Sequence, residues 1–302
     1  MIQRILPIAL LGSAALFADE ISVSGPMMGM VSAADGIRPV LGFPGAAYVG
    51  AVLPLDVTPD SVMIAPELSY ALFSAAGKLM VLDGSIGKIV VREVTGTAGV
   101  ASAWFSPAGK SALLLSADGV TAQLLTGLPA GPRITAVFTV SDGLKVAAVS
   151  DDAQHVLTSS SAGLLTQWDG DGTLRGTIAI RGVLALQFFN QSSDALVASR
   201  SDGKLYKLRD SGDVVFVRDV DAIAVATSND DSVIYAASAA GQLLAIRDTG
   251  ELIGSYSPPI TPTRVRRMGG VFSLNEYDGG PLAIFDGSQM WMIPPAKDGG
   301  AQ

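Results

Sequence analysis

Hydrophobic residues fall in short runs along the whole chain. Examples are Tyr70-Ala71-Leu72-Phe73, Ala112-Leu113-Leu114-Leu115 and Gln242-Leu243-Leu244-Ala245-Ile246. Between them stand clusters of turn formers, such as Ser106-Pro107-Ala108-Gly109, Ser150-Asp151-Asp152 and Ser228-Asn229-Asp230-Asp231. Pro presets φ, Asn and Asp bond their own backbone, and Gly permits positive φ. No segment carries the 3.6-residue period of an amphipathic helix. Apolar runs of this length, bounded in this way, predict strands joined by hairpins. One pattern recurs: an apolar strand, a small residue, a Gly, then another apolar strand. The Gly falls at Gly36, Gly77, Gly119, Gly163, Gly203, Gly241 and Gly280, at spacings of 38 to 44 residues. His155 occupies the same column as Tyr70, Ser111 and Val233, at the start of a strand. After the third strand an Asp…Gly turn follows, as at Asp83-Gly84, Asp169-Gly170 and Asp248-Thr249-Gly250.

Four short strands in about 40 residues is the arithmetic of a propeller blade. The expected fold is all-β, a seven-bladed β-propeller of four-stranded antiparallel blades. It is a single domain over residues 19–296, with residues 297–302 as a flexible tail. The columns resemble the WD40-type repeat, with Trp168-Asp169 at the place of that family's Trp-Asp pair. Ser106-Pro107-Ala108-Gly109 resembles the Ser-Pro-Asp-Gly turn of secreted bacterial propellers with TolB-like repeats. The Gly-His pair of strict WD40 blades is absent. The resemblance implies the ring and no function, because propellers host enzymes, receptors and scaffolds alike. The last unit offers four strands, Arg264–Met268, Val271–Asn275, Pro281–Phe285 and Gln289–Ile293. The first offers three, Met27–Ser32, Ile37–Leu41 and Ala47–Leu53. Ile21-Ser22-Val23-Ser24 has two open roles: inner strand of the first blade, or partner of the last blade.

Met1–Ala18 reads as a secretory signal peptide. Arg4 supplies a positive start, and Ile5–Phe17 is an apolar run too short to span a bilayer. Cleavage is expected after Ala18, with Ala15 as the alternative. The expected location is the periplasm or the exterior. No later segment reaches the roughly 18 uninterrupted apolar residues of a membrane-spanning helix.

Composition narrows the chemistry. Apolar residues make up 49% and charged residues 16%, which excludes disorder as the main state. Twenty basic against 28 acidic residues give a net charge of −8, which disfavours nucleic acid. There is no cysteine, hence no disulfide, thiolate nucleophile or iron–sulfur site, and only one histidine. No cofactor is expected. The expected partner is a protein or a small anionic ligand, bound by a monomer.

Few residues carry chemistry beyond this. Asp169-Gly170-Asp171-Gly172-Thr173 opens like a calcium loop, but the twelfth position is Ile180 instead of a bidentate Glu. The turn reading therefore prevails. His155 lacks a Ser-Asp partner pattern and reads as structural. Phe43, in Leu41-Gly42-Phe43-Pro44-Gly45, is either a contact residue or tucked against a neighbouring blade. The one dense basic stretch is Thr263-Arg264-Val265-Arg266-Arg267. It occupies an innermost strand, where other units carry small apolar residues such as Val100-Ala101-Ser102-Ala103. Arg264 and Arg266 share one strand face, with Arg267 on the other. These three are the candidate ligand-binding residues, suited to a carboxylate or phosphate near the axis. The competing account is neutralisation by Glu276 or Asp278.

Two function classes follow. The first is a non-catalytic extracytoplasmic propeller, acting as a protein-interaction or ligand-binding module. The alternative is a propeller hydrolase or lactonase with a metal at the channel, for which Asp221, Gln187 and Lys145 lie near the inner strands.

Overall fold

The computed structural model describes residues 26–66, 70–84, 89–97, 99–140, 143–160 and 164–296. Within them the chain forms seven antiparallel sheets and no helix. Six sheets are four-stranded meanders in simple chain order. Blade 3, for example, runs Val100–Phe105, Ser111–Ser116, Thr121–Thr126 and Arg133–Thr139. This is the expected seven-bladed propeller. The second strands of blades 2, 3, 4 and 6 begin at Tyr70, Ser111, His155 and Val233, the predicted column.

Blade 1 has three described strands, Met27–Ala33, Gly36–Leu41 and Tyr48–Val49. The third is shorter than its predicted span. Pro39 has no N–H to give the ladder. The chain nevertheless follows the second strand, with Gly50 N donating to Pro39 O and Leu53 N to Ile37 O, both at 2.8 Å. Blade 7 has four described strands, all from the stretch Arg266–Ile293. The segment Ile21–Ser24, the leader Met1–Ala18, the tail 297–302 and Gly163 lie outside the described residues.

Burial explains the strand compositions. Second strands are covered on both faces by neighbouring blades, so Ser111–Ser116 is buried throughout. Such strands read as continuous apolar runs. Outer strands face water and alternate, as Arg133–Thr139 does. Each junction between adjacent blades holds its own apolar cluster. Blade 1 packs on blade 2 through Met30, Ile37 and Phe73. The ring closes between blades 7 and 1 through Leu282, Ile284 and Ile293 against Met28, Val40 and Val49.

A chain of polar contacts also links the blades along one rim, at the turns after the first strands. Tyr70 of blade 2 donates its hydroxyl to Gly109 O of blade 3. Ser111 Oγ of blade 3 donates to Ser150 O of blade 4 at 2.8 Å. Asp151 of blade 4 accepts from Ala108 N of blade 3 at 2.8 Å and from Gln191 N of blade 5 at 3.1 Å. Asp231 of blade 6 accepts from Asn190 N of blade 5 at 2.8 Å. In these turns Asp151 and Asp231 hold the neighbouring blades, while Asp152 and Asp230 bond within their own turns.

Candidate functional site: the central channel

The innermost strands face a channel with two chambers. The larger, about 490 Å³, is walled by apolar side chains, among them Val62, Trp104, Val146, Leu184 and Ile223, and also by Arg264, Arg266 and Glu276. The smaller, about 150 Å³, lies towards the far ends of the same strands, with Phe105, Gln187, Phe188 and Arg267 in its lining. Trp104, Ala147, Leu186, Val265 and Arg266 belong to both chambers, so Arg266 stands at the waist.

The arginines are presented by the first strand of blade 7. That strand starts at Arg266 instead of Arg264. The reason is local: Thr263 N and Arg264 N both donate to the one carbonyl of Leu274, at 2.9 and 3.2 Å, so the one-to-one ladder is lost there. Arg264 forms an ion pair with Glu276. Burial disfavours the Arg264 charge, and Glu276 opposes that effect. Asp278, the other acid considered, instead accepts from Gly280 N at 3.0 Å.

Arg266 reaches from blade 7 to blades 1 and 2. Its Nη1 donates to Ile64 O of blade 2 at 3.2 Å, and its Nη2 to Met30 O of blade 1 at 3.4 Å. Among the described residues no carboxylate forms an ion pair with it. Burial, reinforced by the like charge of Arg264 and opposed by Glu276, pulls its pKa down to about 9. The Nε atoms of Arg264 and Arg266 are both buried without a hydrogen-bond partner. Leaving such a donor unmade costs stability.

Arg267 points the other way, as a strand requires. Its Nε donates to Thr227 O at 3.1 Å, its Nη1 to Asn190 Oδ1 at 2.7 Å and its Nη2 to Ser228 O at 2.6 Å. It therefore ties blade 7 to the turns of blades 5 and 6.

The other candidates lie away from the channel lining, with one exception. Gln187 lines the small chamber, whereas Asp221 and Lys145 line neither. His155 sits between blades 4 and 5, its Nδ1 3.2 Å from Arg175 Nη1 and 3.5 Å from Asp210 Oδ1. Asp169–Thr173 is a hairpin turn, closed by Gly172 N donating to Asp169 O at 2.9 Å, and Asp171 accepts from Thr173 N at 2.8 Å. Among the described residues no group of three or more His, Asp or Glu is placed to hold a metal. Phe43 is 64% exposed, so it is not tucked against a neighbouring blade. The aromatic and aliphatic wall facing the arginines, Trp104 above all, escaped the sequence reading. Its signal was the position of Trp104 in an innermost strand of otherwise small residues.

No protein-family model matches the chain, and no curated protein matches it. Solved structures match in large number, 1495 chains, so the architecture is too widely shared to carry a function. One is a functionally unknown protein from Desulfotomaculum acetoxidans, 12% identical, with a TM-score of 0.59 over 86% of this chain and 96% of that one. Another is the dihydro-heme d1 dehydrogenase NirN in complex with DHE, 21% identical, with a TM-score of 0.52 over 81% of this chain and 55% of that one. At these identities the likeness shows the fold alone.

Proposed function

We propose that the protein is a non-catalytic binding propeller that holds a small anion in its central channel, with Arg264 and Arg266 as the ligand-holding side chains. One observation carries this reading: Arg266 is a half-buried cation that meets two carbonyls and no carboxylate in ion-pair contact among the described residues. An anion at this place would complete its hydrogen bonds, each worth roughly 1.5–3 kcal/mol when a charged group is involved. Arg267 belongs to the same basic stretch but serves the ring, holding three blades together. The hydrolase or lactonase alternative finds less support. The larger chamber's lining offers one carboxylate, Glu276, which is already paired with Arg264. The likeness to NirN supports the ring and nothing about a ligand. The reading also sets the protein outside the cytoplasm, on the strength of the leader Met1–Ala18.

The test is a calorimetric titration with acetate, cyclohexanecarboxylate and inorganic phosphate across a range of salt concentrations. The parent should bind at least one of them, and an Arg264→Gln, Arg266→Gln double variant should lose that binding. If no anion binds, or if the double variant matches the parent, the cluster is structural only.

A further inference from the structure

The two chambers differ in character, and the difference defines a ligand class. Around Arg264 and Arg266 the larger chamber is apolar on blades 2 to 6, with Val62, Trp104, Val146, Leu184 and Ile223 among its walls, and blade 1 adds Ser32. A hydrated inorganic anion would gain nothing from such walls, whereas an apolar group entering them leaves water. The small chamber opens beyond the Arg266 waist and has a volume of about 150 Å³. A cavity of about that volume accommodates one benzene-sized group.

Charge narrows the class further. The larger chamber's lining carries two cations, Arg264 and Arg266, and one anion, Glu276. The balance is a single positive charge. One negative charge neutralises it; a second would sit in the apolar chamber uncompensated, which is costly. Arg266 also has the right free donors. Its guanidinium has five N–H groups; Nε–H is enclosed by protein, and its two Nη atoms each give one bond to a carbonyl, leaving one N–H on each Nη for a carboxylate.

We infer that the channel takes a monocarboxylate with a compact apolar body, its carboxylate on Arg266 and its body against Trp104 and Leu186 at the entrance to the small chamber. This rests on the proposal that the channel binds an anion, and it names the anion's class. Glu276 then has a defined part: by engaging Arg264 it holds the net charge of the site at one.

Calorimetry on the full chain tests this with four probes: cyclohexanecarboxylate, cyclohexanecarboxamide, acetate and inorganic phosphate. Cyclohexanecarboxylate should bind at least tenfold more tightly than each of the other three. A Trp104→Leu variant should lose most of that advantage over acetate. The parent titrations decide the matter even if the variant fails to fold. Acetate binding as tightly as cyclohexanecarboxylate would overturn the apolar body while leaving the anion site standing. Phosphate binding more tightly would overturn the single charge in the same way. Carboxamide binding as well as carboxylate would remove the anion reading itself, and binding of none of the four would remove both.

Discussion

Arg266 Nη1 in blade 7 donates to the Ile64 carbonyl of blade 2 at 3.2 Å, a contact that reaches past blade 1 and places a cation beside largely apolar channel walls. Burying a charge without an ion-pair partner costs stability, and an apolar residue of similar volume removes that cost. Arg266→Met should therefore stabilise the ligand-free protein by about 1–2 kcal/mol and abolish anion binding. Urea unfolding with and without cyclohexanecarboxylate checks both halves. A Met variant less stable than the parent would mean that the bonds to Ile64 and Met30 outweigh the burial of the charge.

Tyr70 and Gly109 form a second cross-blade pair. The Tyr70 hydroxyl donates to Gly109 O and is buried, which pushes its pKa up. Gly109 has φ +66°, and a Cβ there would lie 3.2 Å from Tyr70 Oη. Tyr70→Phe should cost about 1–2 kcal/mol through the lost buried bond. Gly109→Ala should cost a similar amount, from positive φ and from crowding of the hydroxyl. The double variant should be less destabilised than the sum of the two, because removing the hydroxyl also removes the crowding. Strict additivity in urea unfolding would separate the two residues.

Gly203 isolates the backbone part of such an effect. It turns the hairpin of blade 5 at φ +61°, and a Cβ there would meet nothing within 4 Å. Gly203→Val should still cost on the order of 1–2 kcal/mol, from conformation alone. Equal unfolding midpoints for variant and parent would remove the requirement for positive φ at this turn.

The blade pattern was legible because it is local. Buried second strands such as Ser111–Ser116 are continuous apolar runs, and their hairpins carry Gly at close to even spacing. The start of the strand at Arg266 was not legible, because it depends on Leu274, a residue of the next strand region, accepting two N–H groups. The arginine stretch stood out by contrast with other inner strands. Its division was only half visible: alternation separated Arg267 from Arg264 and Arg266. The partners Asn190, Thr227 and Ser228, from blades 5 and 6, come together only in the closed ring. Trp104 left a local signal, a large side chain at the end of a run of small ones, but the wall it belongs to was not legible, since that wall is assembled from strands about 40 residues apart in sequence.

Export makes a prediction at the N-terminus. Arg4, the apolar run Ile5–Phe17 and Ala18 ahead of Asp19-Glu20 together predict cleavage after Ala18, with Ala15 as the alternative. Intact-mass measurement of protein from the envelope fraction should give a chain starting at Asp19. A chain retaining Met1 in cells would remove both the leader and the extracytoplasmic setting.

Acid should weaken the ring at its closure. Asp286 of blade 7 accepts from Trp291 Nε1 at 3.0 Å, Gln289 N at 2.7 Å, and Ser288 N and Oγ, both at 2.9 Å. Burial alone would raise its pKa, but these bonds outweigh burial and hold it at about 2, against an ordinary 3.8. A carboxylate depressed in the folded state contributes stability that is fully present above its unfolded pKa. That contribution is lost as pH falls towards the folded value. The window is therefore from about pH 4 to about pH 2. Trp291 packs in the apolar cluster that joins blade 7 to blade 1, so loosening its bond to Asp286 acts at the ring's closing junction. Asp286→Asn should reduce the parent's acid loss in this window by about 1 kcal/mol, a figure already discounted for partial exposure. Asp230, also held at about 2 by its bonds to Ser228 and Ser232, titrates over the same range. The readout is therefore the difference between variant and parent in urea unfolding at pH 5, 3.5 and 2.5. Parallel curves across the three pH values would show that Asp286 does not couple protonation to folding.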